Sequence, residues 1–243
     1  MQGRGAKAFA GVRAMNHPGA SVFLLLLLGA DLAFVLLHVN YKLSPNPYAY
    51  FSIEEDGGYA EVYGYIKYFW AIILCARIRN CTKSNGYTAW VLVFTYFLCD
   101  DAMQVHETGG DLVARSFDFH PPLNLSLDDL GELAVSAIAG SLLLAGLAWA
   151  YLRGSYTFKN VSKDLSILVL ALAFFGVFAD MVHVAIDVGG IVSVGMGLVE
   201  DADELIVASL ILWYLFMLAM RSGELDRYLH EVLFKRLTNR RNR

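Results

Sequence analysis

Six blocks of apolar residues, each about twenty residues long, constrain the fold of this chain more than any other feature. A helix needs about twenty apolar residues to cross roughly 30 Å of hydrocarbon. The strands of a transmembrane barrel would be shorter and would alternate apolar with polar residues, which these blocks do not. Of the 243 residues, 57% are hydrophobic and only 17% are charged, which agrees with a membrane protein. The predicted spans are 21–40, 59–77, 87–107, 127–152, 165–187 and 196–220.

The positions of Lys and Arg orient these spans. If the segment before the first span lies inside, 16 of the 19 Lys and Arg residues fall in inner segments. The outer loops hold only Lys42 and Arg115, while Lys67 lies within the second span. This asymmetry is the one that the positive-inside rule requires. The sequence therefore predicts an all-α, polytopic helical bundle with six transmembrane helices and both termini inside.

The chain divides into a basic segment 1–20, a transmembrane domain 21–220 and a basic tail 221–243. A cleaved signal peptide is the alternative for the first span, but its length, the interrupting Asp31 and the lack of a clear cleavage site favour a retained helix. In the tail, Leu225, Leu229 and Val232 recur at helical spacing among basic residues. This pattern predicts an interfacial amphipathic helix on the anionic inner leaflet; a solubilising basic end is the alternative. We expect membrane lipids as partners, no nucleic acid, and leave any membrane-complex partner undefined.

Carboxylates are concentrated at one end of the predicted spans. Ionisable groups inside a membrane are costly, and by default they mark a functional site. At 1.5 Å per residue, Asp100, Glu132 and Asp180 lie roughly 8–10 Å below the outer surface, and Lys67 and Glu204 lie about 12 Å below it. Five predicted helices thus place ionisable groups in one layer, which we call the acidic layer.

The acidic layer is predicted to bind metal. Lys67 is the only fixed cation beside it and is interpreted as a counter-ion. Some of the carboxylates reach water, and the rest need protons, hydrogen bonds or bound cations. Carboxylates with one or two histidines suit zinc, iron or manganese. The Asp-x-x-His pair of the fifth span partly matches the Glu-x-x-His motif of dimetal helical bundles. We predict one or two divalent ions, with candidate ligands Asp100, Asp101, His106, Glu107, Glu132, Asp180, His183, Glu200 and Glu204, and possible extensions Asp31, His38 and Asp187.

Some of these residues have a purely structural alternative. On an ideal helix His106 points roughly 120° away from Asp100, so it joins the site only if the helix end distorts. Asp180 and His183 share a helix face, but they could form a hydrogen-bonded pair between two helices instead. Asp129 is interpreted as a residue that caps the fourth helix or interacts with its dipole. No catalytic residue is assigned from the sequence.

Several short motifs resemble a group of uncharacterised bacterial multi-pass membrane proteins. The resemblance rests on residues 55–59, Tyr65 with Lys67, Asp100-Asp101 with His106-Glu107, Gly131-Glu132, Asp180 with His183, and Glu200-Asp201 with Glu204. It implies the same six-helix architecture in a bacterial inner membrane, and it supplies no activity. In having ionisable groups within a bundle of transmembrane helices, the chain is more weakly similar to membrane metallohydrolases of the alkaline ceramidase and progestin/adiponectin-receptor type. Those proteins have seven helices and a three-histidine zinc site, whereas this layer has fewer histidines.

Three functions are compatible with this pattern. In the first, a metal in the acidic layer polarises water or oxygen, a carboxylate serves as general base, and the substrate is a lipid or another membrane-soluble molecule. In the second, the carboxylates pass protons or divalent cations, which Asp31 near the midplane favours, although the helices show no continuing polar track and no broken pair. In the third, the chain is a non-catalytic subunit of a membrane complex.

Overall fold

The computed structural model describes residues 18–115, 126–175, 197–199 and 201–222. These residues form helices and no strand, which confirms the all-α prediction for the part of the chain described. The order is α1 Pro18–Leu43, a short 3₁₀ helix Ala49–Phe51, α2 Tyr59–Thr82, α3 Tyr87–Met103, α4 Val105–Ala114, α5 Leu127–Arg153, α6 Tyr156–Ala173 and α7 Gly197–Ser222.

Local sequence signals explain where several helices begin and end. Pro18 is the first residue of α1, where its missing N–H costs nothing. Ser126 and Asp129 form a capping box at the start of α5, since each side chain accepts the backbone N–H of the other residue. The Ser155 hydroxyl caps α6 by accepting the Phe158 N–H. Lys83 ends α2 in the left-handed region, at φ 53°.

Three helices are long and apolar enough to cross a membrane: α1, α5 and α7. Only 17% of the apolar stretch of α1 and 6% of that of α5 is buried inside the bundle. Exposed apolar surface of this extent is typical of contact with a membrane. The other described helices are shorter or more polar: α3 has 17 residues, and α2 carries Glu61, Lys67 and Arg77.

We call the end of the bundle where α1 and α3 finish and α2 and α5 begin the acidic end. Closely packed side chains fill the part of the bundle toward the opposite end, where Ile78, Tyr87, Leu165 and Leu215 are all at most 2% exposed. They come from α2, α3, α6 and α7, so these four helices share one core. Toward the acidic end the packing is different, and the bundle contains a large cavity.

Candidate functional site: an acidic and apolar cavity

A cavity of about 580 Å³ lies between α3, α5 and α6 and reaches the acidic end of the bundle. This volume is within the range of small-molecule sites. Its acidic part is lined by His106 and by eleven carboxylates, and no Lys or Arg is among the described residues that line it. The carboxylates are Glu54, Glu55, Asp56, Glu61, Asp100, Asp101, Glu107, Asp129, Glu132, Asp201 and Glu204.

The rest of the cavity is apolar. Its lining includes Trp90, Val93 and Phe97 of α3, four leucines of α5 and several aliphatic residues of α6. One face of α5 runs along the whole cavity, because its lining residues recur every three or four positions, the repeat of a helix face. From the acidic part inward these residues are Asp129, Glu132, Leu133, Ser136, Gly140, Leu143, Leu144 and Leu147. A Cβ built on Gly140 would have no atom within 4 Å, so this residue leaves the cavity open halfway along.

A break between α3 and α4 brings His106 to Asp100. Gln104 adopts φ 49° and ψ 49°, a left-handed conformation that is uncommon for a residue other than glycine. The Asp100 carboxylate accepts the His106 N–H at 3.0 Å, much as an N-cap does, and the Gln104 amide donates to Asp56 at 3.3 Å. The helix end is therefore distorted in the way that His106 needs to join the acidic layer.

The resulting geometry pairs the imidazole with a carboxylate. His106 Nδ1 lies 3.2 Å from Asp100 Oδ2, and His106 Nε2 lies 4.0 Å from Glu107 Oε1. The His106 side chain is 31% exposed and that of Asp100 is 14% exposed, so a small molecule in the cavity could still reach the imidazole. A carboxylate this close to Nδ1 favours one orientation of the ring, in which Nε2 lies on the side of Glu107.

Close backbone packing fixes α4 against α5. A Cβ on Gly131 would lie 2.2 Å from the Gly110 carbonyl oxygen, and a Cβ on Gly110 would lie 2.6 Å from Glu132 Cγ. Only glycine fits on both sides of such a contact. The contact holds Glu132 at the acidic end beside the helix that carries His106 and Glu107.

A smaller cavity of about 80 Å³ adjoins the acidic part and is lined by four carboxylates and Tyr68. The four are Glu61, Asp101, Asp201 and Glu204. Glu61 also accepts the Gly57 N–H, and the Tyr65 hydroxyl donates to the backbone carbonyl of Asp101 at 3.2 Å. These contacts tie the loop between α1 and α2, and α2 itself, to the end of α3.

Lys67 does not line either cavity. Its ammonium group donates to Asp31 Oδ1 at 2.6 Å and to the Leu205 carbonyl at 2.8 Å, and it lies 4.4 Å from the centroid of the Tyr63 ring. The Ser209 hydroxyl donates to the other Asp31 oxygen at 2.6 Å. Lys67 and Asp31 are 1% and 2% exposed. We call Asp31, Lys67 and Ser209 the buried network; it joins α1, α2 and α7.

His38 has a structural position. Its Nδ1 accepts the Ile53 N–H at 3.1 Å and lies 3.3 Å from the Ser52 hydroxyl. His38 is 1% exposed and does not line the cavity, so it anchors the loop between α1 and α2. Because Ile53 and the following acidic residues do line the cavity, His38 helps to position part of its wall.

The structure therefore brings together six of the nine predicted ligands at one cavity: Asp100, Asp101, His106, Glu107, Glu132 and Glu204. Asp180, His183, Glu200 and the possible extension Asp187 lie outside the described residues. Within the part of the chain that is described, no three His, Cys, Asp or Glu side chains converge closely enough to hold a metal ion. A metal would need ligands from the remaining predicted positions.

A protein family described as a domain of unknown function, DUF8692, matches residues 20–220. The chain belongs to this family. The match extends from the start of α1 almost to the end of α7, so the cavity and the buried network both lie within the family domain. No curated protein and no solved structure matches the chain.

Sequence reasoning missed two features of this site. The loop residues Glu54, Glu55 and Asp56 line the cavity, although they precede the second predicted span. The apolar part was also missed, yet α5 carries a signal for it: carboxylates, then Ser136 and Gly140, then leucines, all on one helix face. Small residues between the carboxylates and the leucines leave room for a ligand with one polar end and one apolar end.

Proposed function

We propose that the chain is a six-span protein of a bacterial inner membrane, with the acidic end outside. Three helices able to cross a membrane and the distribution of Lys and Arg support this topology. Labelling of single cysteines should place Lys83 and Lys159 inside and Asp56 and Arg115 outside. If Lys83 and Asp56 were labelled from the same side, the topology would be wrong.

Within that topology, we propose that the protein is a metal-dependent enzyme acting on a membrane-soluble molecule. The observation that carries this proposal is the Asp100–His106 pair, which the break at Gln104 places in the wall of a cavity with an apolar extension. A histidine that ligates a metal usually has its other ring nitrogen paired with a carboxylate or a carbonyl. Asp100 at Nδ1 leaves Nε2 available for this role.

A metal would be held by His106 Nε2 and one neighbouring carboxylate, Glu107 or Glu132, together with the predicted ligands Asp180, His183 and Glu200, which lie outside the described residues. A divalent metal bound here would supply a polarised water or a Lewis acid. Asp100 would orient His106, and the carboxylates not bound to metal would be available as general bases. The apolar walls from α3, α5 and α6 would hold the substrate and exclude water.

Metal analysis of the purified protein tests this proposal. Protein prepared without chelator should contain roughly one or two equivalents of zinc, iron or manganese, as expected for a carboxylate and histidine site. His106→Ala and His183→Ala should each lower the metal content strongly. Asp164→Ala is the matched control, since Asp164 accepts a hydrogen bond from Tyr214 and does not line the cavity.

A folded wild-type protein without bound metal, whose stability does not respond to added zinc, iron or manganese, would contradict the enzyme proposal. The acidic end would then have a structural role, as in a non-catalytic subunit. Retention of full metal content in His106→Ala would contradict only the assignment of His106.

Transport of protons or divalent cations is the second candidate. One observation favours it: the Leu205 carbonyl that accepts from Lys67 belongs to a residue lining the smaller cavity beside Glu204. The carboxylates of that cavity therefore adjoin the buried network, which includes Asp31. Uptake of a labelled cation or of protons into proteoliposomes, abolished by Asp31→Asn, would favour transport over enzyme chemistry.

A further inference from the structure

The large cavity has two chemically different parts arranged along α5. The acidic part includes Glu132, and the apolar part ends at Leu147, fifteen residues further along the helix. At 1.5 Å per residue this interval is about 22 Å long. A volume of about 580 Å³ over that length is a narrow passage, with room for one aliphatic chain beside its head group.

The apolar part is open at its side. Leu144 of α5 and Leu170 of α6 both line the cavity, yet they are 62% and 63% exposed. Their neighbours on the outer surface, Leu142 and Ile167, are 70% and 67% exposed. If the bundle spans the membrane, this surface faces hydrocarbon, so a chain could enter from the bilayer between α5 and α6.

The charge of the acidic part selects the head group. Eleven carboxylates line it with His106, and no Lys or Arg is among the described lining residues. Lys42 pairs with Glu54 at 2.6 Å from outside the lining. Lys42 and two bound divalent metal ions would together offset five of the eleven charges at most. A phosphate or carboxylate head would meet like charge, whereas an ammonium head would be attracted and could donate hydrogen bonds to carboxylates.

We propose that the cavity binds a membrane amphiphile with one aliphatic chain and a cationic amine head, the chain entering between α5 and α6. This inference deepens the proposed function, because such an amphiphile would be the substrate class of the proposed enzyme. The head lies among the carboxylates beside the Asp100–His106 pair, and the chain passes Ser136 and Gly140 toward Leu147.

Two glycines of α5 provide a matched test. At both Gly140 and Gly146 a built Cβ has no atom within 4 Å, so a side chain at either position starts in open space. Only Gly140 lines the cavity. Gly140→Leu would block the passage between the head and the end of the chain, whereas Gly146→Leu makes the same change in helix propensity and apolar surface without entering it.

The probe is a long-chain alkylamine with a photoreactive diazirine in its chain, added to the full-length protein in neutral lipid vesicles. It should cross-link to peptides of α5 and α6 that line the cavity. Gly140→Leu should weaken this saturable cross-linking about tenfold, and Gly146→Leu should leave it unchanged. Ser136→Leu, at the same passage, repeats the test at a second position and covers the case in which Gly140→Leu does not fold.

The head group is tested with the alcohol and the carboxylic acid of the same chain. The amine should bind at least about tenfold more tightly than the acid. Equal or tighter binding of the acid would overturn the amine assignment, and saturable cross-linking unaffected by either leucine variant would overturn the cavity as its site.

Metal content measured on the same samples separates the two proposals. Metal-free protein that binds the amine would contradict the metalloenzyme alone, and metal-loaded protein that does not bind it would contradict this inference alone.

Discussion

The buried network and the acidic part of the cavity both contain carboxylates, but they balance the negative charge in opposite ways. In the buried network, one lysine faces one aspartate, and both Asp31 oxygens accept hydrogen bonds. In the acidic part, eleven carboxylates line one cavity with a histidine and no described Lys or Arg, and Lys42 pairs with only one of them, Glu54. A neutral, hydrogen-bonded group is what helix packing needs, whereas an excess of one charge needs a ligand, protons or metal to compensate it.

The two regions are also held together differently. The buried network joins α1, α2 and α7 through side chains. The acidic end is fixed by the backbone contact between Gly110 and Gly131 and by the break at Gln104, which hydrogen bonds to Asp100 and Asp56 hold. Paired charges therefore connect the helices of the first region, while the second keeps its shape despite the charge it carries. The following predictions test this contrast, starting with the largest effect.

Lys67→Met should destabilise the protein by about 3–5 kcal/mol, because it leaves the Asp31 carboxylate buried without its partner. Thermal or denaturant unfolding in detergent measures this loss. The double variant Asp31→Leu with Lys67→Met should recover most of it, since no buried charge remains. A loss below about 1 kcal/mol in Lys67→Met would mean that the pair is not the charge-balanced element described here.

Gly131→Ala should destabilise the protein by about 1–3 kcal/mol, because the new methyl group would lie 2.2 Å from the Gly110 carbonyl oxygen and push α4 from α5. Gly146→Ala is the control in the same helix, where nothing lies within 4 Å, and it should be neutral or slightly stabilising. Unfolding midpoints of both variants give the comparison. If the two behave alike, backbone packing does not hold the acidic end.

The sequence was informative about the helices and less so about their contacts. The fourth apolar block and the Ser126 cap explain where α5 lies. The Ser155 cap starts α6 at Tyr156, nine residues before the predicted fifth span begins at Leu165. The break at Gln104 has no signal of its own, because no Gly or Pro is near it. It depends on tertiary contacts, namely the Asp100 carboxylate on the His106 N–H and the Gln104 amide on Asp56.

The partner of Lys67 could not be derived from depth. Its Cα depth places it in the acidic layer, but a lysine side chain is long and can carry its charge well away from its own backbone. In the structure that charge points to Asp31, 36 residues earlier in the sequence, and not into the cavity. The cavity itself depends on how α3, α5 and α6 are spaced, which periodicity within a single helix does not determine.

Asp101→Asn provides the sharpest comparison, because the same change at Asp31 should have the opposite sign. Asp101 shares the smaller cavity with Glu61, Asp201 and Glu204, so removing its charge relieves repulsion between carboxylates. In the presence of a chelator, Asp101→Asn should therefore stabilise the protein by about 1 kcal/mol, whereas Asp31→Asn should destabilise it. The Tyr65 hydroxyl bonds to the backbone carbonyl of Asp101, so that contact survives the substitution.

Adding zinc or manganese should reverse the sign of the stability change in Asp101→Asn if the Asp101 carboxylate binds metal. The stability change in Asp31→Asn should stay the same. Unfolding midpoints with chelator and with metal measure both effects. A loss of stability in Asp101→Asn under chelation would show that the acidic end is internally balanced like the buried network, and the argument for a bound cation would fail.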